Sequence, residues 1–449
     1  MFKKSQMLLK LFTKIKVFLI NYINFRKSHI SHTDNNMLET LIRRTHKALL
    51  VLCDLVVLPL AIFIVFIIRA LSPFILIRFQ PLSHRIGHFS ANIELYLCRR
   101  EIENAKIQRT IDVFYCKPPI SNRYLKKMWG RVFHICYLAH YLDRVNRNLP
   151  GGKKHTFTTD IYGAGYNFYG IDNKGLLQLT RPHLSFTPKE ERRGYASLRD
   201  MGIPEKAPFI CFFMRDSNYL KHFFKTSFYY HNFRDCNIQN CRLAVEEMAN
   251  QGYYMLRMGA VVKEPFTSYH PKIIDYATKY RTEFLDIFLS AKCRFFITSF
   301  SGISGLPMIF RRPIAWVNCI PYYVKSENHT YCCFSTSGVN NVFIPKKLWL
   351  KKKRRLMTFR EILNSGAGGF TDTRQFDHNG IEVIENTPEE IKALIIEMNE
   401  RLNNKWQCTQ EDKELQARFW SLFDPAQVNS NAFTRIGSAF LKQNRELLA

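Results

Sequence analysis

From Pro208 onward the chain alternates short apolar runs with segments of helical spacing. Pro208 to Met214 is an unbroken apolar run that ends at Arg215-Asp216-Ser217. Ile238 to Asn250 has helical periodicity and stops at Gly252. Tyr253 to Met258 is a second apolar run, closed by Gly259, and Thr282 to Ala291, with FLDIFLSA at its heart, is again helical. Phe295 to Thr298 and Ile314 to Val317 complete the series, separated by Ser-Phe-Ser-Gly-Ile-Ser-Gly, a short apolar helix and Arg311-Arg312-Pro313. Apolar runs this short, set between helices, predict strands of a parallel sheet covered on both faces.

The stretch before Pro208 repeats the alternation less regularly. Phe74 to Phe79 and Ile111 to Tyr115 read as strands, Asn92 to Glu103 as a helix, and Tyr124 to Val145 as mostly helical. Thr187-Pro188 followed by acids is a helix start, with a threonine cap and proline at the first helical position. Thr387-Pro388-Glu389-Glu390 repeats that signal and opens a helix to about Asn403; Glu411 to Phe423 and Phe433 to Leu447 also read as helical. The expected class is α/β, with two sheet-bearing parts and a helical C-terminal tail.

Leu49 to Ile68 stands apart. It is about twenty residues of nearly continuous apolar sequence, the length that crosses a bilayer, interrupted by Asp54 and Pro59 and flanked by Arg43, Arg44, Lys47, Arg69 and Arg78. The lysine- and arginine-rich tail ahead of it belongs on a cytoplasmic side. The 12 cysteines include no C-x-x-C pair, and several lie in apolar runs, which points to reduced, buried thiols. A monotopic or re-entrant helix broken near Pro59 satisfies both constraints, with residues 1–48 as a basic amphipathic region on the same surface. Asn328-His329-Thr330 matches a glycosylation sequon, a pattern common by chance.

The net charge of +28 favours anionic partners: lipid headgroups, nucleotides or nucleic acid. No nucleic-acid motif is present, so no nucleic-acid partner is expected. Ligands of parallel α/β sheets bind beyond the carboxyl ends of strands. Those ends here carry Arg215, Arg257 and the turn with Ser301, Gly302 and Ser304, while Arg234 follows in the loop after the first strand. Guanidinium groups and a small-residue turn suit a diphosphate, whose leaving charge they stabilise without a bound metal. Glu283, at a helix start, is a candidate for a sugar or ribose hydroxyl. His88, at a strand-to-helix turn, is the candidate general base, with Glu94, Asp160 and Asp172 as competitors. Tyr162-Gly163-Ala164-Gly165-Tyr166 is a candidate acceptor loop.

The stretches RIGHFSANIELYL (85–97), FMRDSNYL (213–220), YHNFRDCNIQNC (230–241), GYYMLRMG (252–259), FLDIFLSAKCRFFITSFSGISGLPMIFRRP (284–313) and GIEVIENTPEEI (380–391) resemble a family of bacterial glycosyltransferases of surface-polysaccharide synthesis. The resemblance implies a GT-B fold, two Rossmann-like domains facing a cleft, and is distantly similar to the fucosyltransferase branch, in which a strand-end arginine holds the donor diphosphate. The expected domains are an acceptor domain over 71–200, a donor domain over 201–345 and an extension over 346–449 packing back on both, behind the 1–48 basic region and the 49–70 membrane-associated segment, which lie outside the resemblance. Together with the residues above, the expected activity is inverting, metal-independent transfer from a nucleotide sugar to a lipid-linked or polysaccharide acceptor, with no cofactor; the cytoplasmic face of an inner membrane and an anionic membrane surface as partner are expected from the composition of the N-terminal residues alone. A nucleotide-sugar epimerase of the same fold and a non-enzymatic basic membrane or nucleic-acid binding protein are the alternatives.

Overall fold

The computed structural model describes residues 57–82, 84–103, 109–116, 119–156, 172, 175–224, 229–325, 330–334, 340–425, 428 and 434–449. Residues 1–48, the start of the apolar segment, Asp160, the Tyr162–Tyr166 loop and most of the sequon lie outside them.

The first part is small. Helix α1 (57–70) is apolar all round and lays Leu58, Ala61 and Val65 against Val145 and Leu149. It is helical on both sides of Pro59, so the described residues show no break there. No helix among them is long and apolar enough to cross a membrane. Strand β1 (Leu76–Leu82) pairs in parallel with β2 (Thr110–Cys116), from Leu76 opposite Thr110 to Leu82 opposite Cys116. Helix α2 (Ile93–Glu103) connects them, entered through a π-helical turn at His88–Asn92. The helix expected over 124–145 is two, α3 (Arg123–Trp129) and α4 (Ala139–Asn148). Between them Ile135 makes an isolated parallel bridge to Phe114, and Thr156 makes another to Phe79. The expectation of two Rossmann-like domains is therefore met only in part: among the described residues, the first part is a two-stranded sheet with single bridges at its margins.

The second part carries the main sheet. Helix α5 (Pro188–Asp200) starts in a complete capping box, Thr187 and Glu190 satisfying each other's backbone N–H. Then come β3 (Phe209–Phe213), α6 (Arg242–Asn250), β4 (Tyr254–Arg257), β5 (Ile273–Ile274), α7 (Glu283–Lys292), β6 (Phe296–Thr298), the short α8 (Gly305–Ile309), β7 (Ile314–Cys319) and β8 (Val342–Pro345). Helix α9 (Pro388–Leu402) begins in the same kind of box at Thr387. The segment expected as helix from Phe433 instead contains β9 (Arg435–Ile436), which pairs with Val342 and Phe343 before the chain turns helical at Ser438. The sheet is thus seven-stranded and all parallel, in the order β5-β4-β3-β6-β7-β8-β9, and the tail supplies one edge.

Both faces are covered, which is why its strands read as continuous apolar runs. Along β3 the side chains alternate. Phe209 and Cys211 join Leu256, Phe296 and the α7 residues Phe284 and Phe288 on one face. Ile210 and Phe212 join Met255, Ile297 and the α6 residues Val245 and Met248 on the other. Counted from β3, the strand order runs 3-2-1-4-5-6-7. It reverses direction between β3 and β6, and at such a switch point a crevice opens beyond the carboxyl ends.

Candidate functional site

A cavity of about 220 Å³ occupies that position. The loop after β3 contributes Arg215 and Asp216, the loop to α6 contributes His231 and Arg234, and the turn after β6 contributes Phe300 through Gly305. The first part closes it with His84, Arg85, Gly87 and His88, from the loop after β1. Strand ends place these groups because a strand fixes its last residue to within the sheet register, while the loop beyond it is free of ladder bonds.

The guanidinium groups are held by specific partners. Arg215 is buried, pairs with Asp235 and donates to the His231 carbonyl at 3.2 Å; its backbone N–H donates to Ser299 Oγ at 3.1 Å. Arg234 donates to the Phe300 carbonyl at 2.8 Å, tying its loop to the glycine turn. Lys346, buried at the end of β8, donates to the carbonyls of Phe233 (3.2 Å) and Asp235 (2.6 Å) and so clamps the same loop. Asp216 is not the partner of Arg215: it accepts from the N–H of Asn218 (2.8 Å) and of Lys263 (3.2 Å).

The field in the cavity is positive. Burial lowers the His231 imidazole to about 3, and the charges of Arg234, Arg215 and Arg85 act in the same direction. His231 is therefore neutral at ordinary pH. At the rim Arg281 pairs with Asp286 (2.9 Å), which also accepts from Tyr276; burial raises the Asp286 carboxyl despite both contacts.

The glycines of the turn have a packing reason. A Cβ on Gly87 would stand 2.9 Å from Gly302 Cα, and one on Gly305 would stand 2.3 Å from Ser90 Oγ. The loops of the two parts meet backbone to backbone at this point. Ser301 precedes the 3₁₀ turn Gly302–Ser304, and Ser304 Oγ donates back to the Ser301 carbonyl at 2.5 Å.

Several sequence candidates thus come together: Arg215, Arg234, Ser301, Gly302, Ser304 and His88 line one cavity. Others are elsewhere. Arg257 is buried off the cavity wall, bonded to Asp275 (3.3 Å) and to the Glu264 carbonyl (3.0 Å). Glu283 accepts from the N–H of Arg123 (2.9 Å), and its carbonyl accepts from Asn122, which staples α7 to α3. Glu94 is buried and bound to Arg311 (2.7 Å) and His183 (3.1 Å), which joins α2 to the segment after α8. Asp172 caps the N–H groups of Leu176 and Leu177. Arg257 follows the strand-end rule yet is diverted by Asp275, which sits just beyond the two-residue β5. Glu94 and Glu283 serve the seam between the two parts.

Glu94, Cys98 and His183 also bring one carboxylate oxygen, one sulfur and one ring nitrogen within 4.8 Å of each other. The Arg311 guanidinium, 2.7 Å from Glu94 and 3.5 Å from Cys98 Sγ, already supplies a cation there. Burial opposes charge on His183, but its contacts with Cys98 and Glu94 outweigh it and raise the imidazole to about 10. Sequence reading missed Arg85, His231 and Lys346. The first two lie inside motifs already singled out, next to residues that were chosen.

No family model matches the chain, and no curated protein matches it. Among solved structures it is similar to a family 9 glycosyl transferase from Veillonella parvula, at 10% identity over 61% of this chain and 86% of that one, with a TM-score of 0.37. It is similar to the ADP-heptose lipopolysaccharide heptosyltransferase II of E. coli at 12% identity, over 54% of this chain and 84% of that one, with a TM-score of 0.32. It is also similar to the dodecameric iron-containing heptosyltransferase TibC of E. coli, at 13% identity over 54% of this chain and 58% of that one, with a TM-score of 0.29. None of these is a fucosyltransferase, and that part of the sequence resemblance finds no support among them.

Proposed function

We propose that the chain is a glycosyltransferase that moves a sugar from a nucleotide-activated donor to a lipid-linked or polysaccharide acceptor. The observation that carries the reading is the cavity at the switch point of the parallel sheet, with Arg215, Arg234 and Arg85 around it. A nucleoside diphosphate suits that position: planar guanidiniums bond phosphate oxygens in pairs and stabilise the charge that grows as the sugar leaves. That the ligand is a nucleotide sugar rests on the resemblance of residues 85–391 to surface-polysaccharide glycosyltransferases.

In this reading Arg215 and Arg234 hold the diphosphate, with Ser301, Gly302 and Ser304 along its edge. His88 takes the proton from the acceptor hydroxyl. Asn92 sits 3.1 Å from His88 Nδ1. The amide nitrogen is the atom placed toward Nδ1; reversing the amide, so that its oxygen accepts from Nδ1–H, leaves Nε2 the lone pair a base needs. The acceptor oxygen attacks the anomeric carbon, the bond to the diphosphate breaks, and the electron pair leaves with the diphosphate, giving inversion.

The test is release of nucleoside diphosphate from a panel of nucleotide sugars in the presence of a membrane-lipid extract. One donor is expected to turn over. His88→Asn is expected to lower kcat roughly 100-fold or more with little change in donor affinity, the size of effect a lost general base produces. A panel without turnover, or a His88→Asn enzyme of unchanged kcat, contradicts the assignment.

A further inference from the structure

Helix α1 buries only one of its two apolar sides. Leu58, Ala61, Val65 and Ile68 pack inward. Leu60, Phe63, Phe66 and Ile67 face outward, and Leu71 and Phe74 extend the same stripe past the helix end; Phe63 is 63% and Phe74 76% exposed. At 100° per residue these positions fall on one continuous side. Tyr137 and Leu138, just before α4, are 60% exposed as well, and Ile111 at the start of β2 is 42% exposed. A helix that is apolar all round belongs in an apolar surrounding on every side.

Charge says what that surrounding is. Residues 57–82 contain no acid, and residues 130–156 contain only Asp143, which is buried and bonded to Tyr115 and Arg147. Asp112 in β2 is buried and bonded to Arg78. The exposed charges here are cationic: Arg109, whose carbonyl accepts from Leu76, and Lys153 and Lys154, the latter 3.4 Å from Ser72 Oγ at the end of the stripe. Arg69 is folded back onto Asn146 and the Pro150 carbonyl.

We infer that this face docks on an anionic phospholipid surface, with the Leu60–Phe74 stripe in the acyl boundary and Arg109, Lys153 and Lys154 among the headgroups. An apolar side rimmed by lysine and arginine is the pattern of helices that lie in a bilayer interface. Basic residues at such a margin each add to the attraction for acidic lipids. The inference is independent of the donor cavity, so either can fail alone.

Flotation of the full chain with vesicles tests it, using phosphatidylcholine alone and phosphatidylcholine mixed with phosphatidylglycerol. The Phe63→Glu/Ile67→Glu variant changes only outward positions. The wild type is expected to float with the mixed vesicles, and the double variant to lose binding about tenfold or more at an unchanged melting temperature. Lys153→Glu/Lys154→Glu is expected to weaken binding to the mixed vesicles. Three results overturn the inference. The double variant floats like the wild type; the wild type floats with neither vesicle; or the wild type is a dimer that the double variant makes monomeric, with no vesicle binding, which gives the face to a second copy.

Discussion

His231 and His183 sit in opposite surroundings, and the sign of each determines a pH dependence. His231 falls from its ordinary 6.5 to about 3 in the folded chain, so between those values the unfolded chain binds a proton that the folded chain refuses. Its contribution is complete above 6.5 and is lost as the pH falls toward 3. His183 is raised to about 10, so its contribution is complete below 6.5 and is lost as the pH rises through 10. Denaturation midpoints measured across pH are expected to decline on both sides; His231→Asn flattens the acid side and leaves the alkaline side as it was. Glu94 gives a second prediction. Glu94→Ala strands Arg311 and His183 and is expected to cost about 3–5 kcal/mol in denaturant unfolding, the range for breaking a buried pair. A variant that unfolds like the wild type contradicts the structural role.

At the scale of elements, legibility followed the range of the interactions. The capping boxes at Thr187 and Thr387 are local, four residues each, and read directly from the sequence. The strands β3, β4, β6 and β7 read as apolar runs because both their faces are buried. Strand β9 did not, because two residues carry no pattern and their partners Val342 and Phe343 lie far earlier in the chain. The same limit applies to the site. Arg215 and Ser301 were legible from strand-end position and Arg234 from the loop that follows, while the diversion of Arg257 depends on β5, too short to show as a run. The glycine turn was read for its backbone, and its contact with Gly87 depends on how the two parts meet. Gly87→Ala is expected to cost about 1–3 kcal/mol, as overpacking does, since the obstruction is the Gly302 backbone. Gly305→Ala is expected to behave similarly, because Ser90 Oγ can yield only by leaving the carbonyls of Ile86 and Gly87. Equal denaturation midpoints for wild type and both variants would remove the close contact.

For the whole molecule, the two parts share a hydrophobic seam, in which Phe89, Ile93 and Trp129 pack with Ile287, Leu306 and Ile309, and polar links that include Glu94 with Arg311, Arg131 with Glu190, Glu283 with Arg123 and Asn122, and the close approach of Gly87 to Gly302. The arrangement leaves a cavity lined by Arg85, Arg215 and Arg234 open between them, and its ligand decides its chemistry. Calorimetric titration of wild type, Arg234→Ala, Arg215→Lys and Arg257→Ala with a series of nucleoside diphosphates measures this directly. The expected result is one nucleotide that binds the wild type and binds Arg234→Ala and Arg215→Lys roughly 10- to 100-fold more weakly, the loss of a charged hydrogen bond. Arg257→Ala is expected to lower the melting temperature and keep the affinity. Binding that survives in Arg234→Ala and Arg215→Lys but disappears in Arg257→Ala, or no binding to the wild type, would contradict the placement of the donor in this cavity.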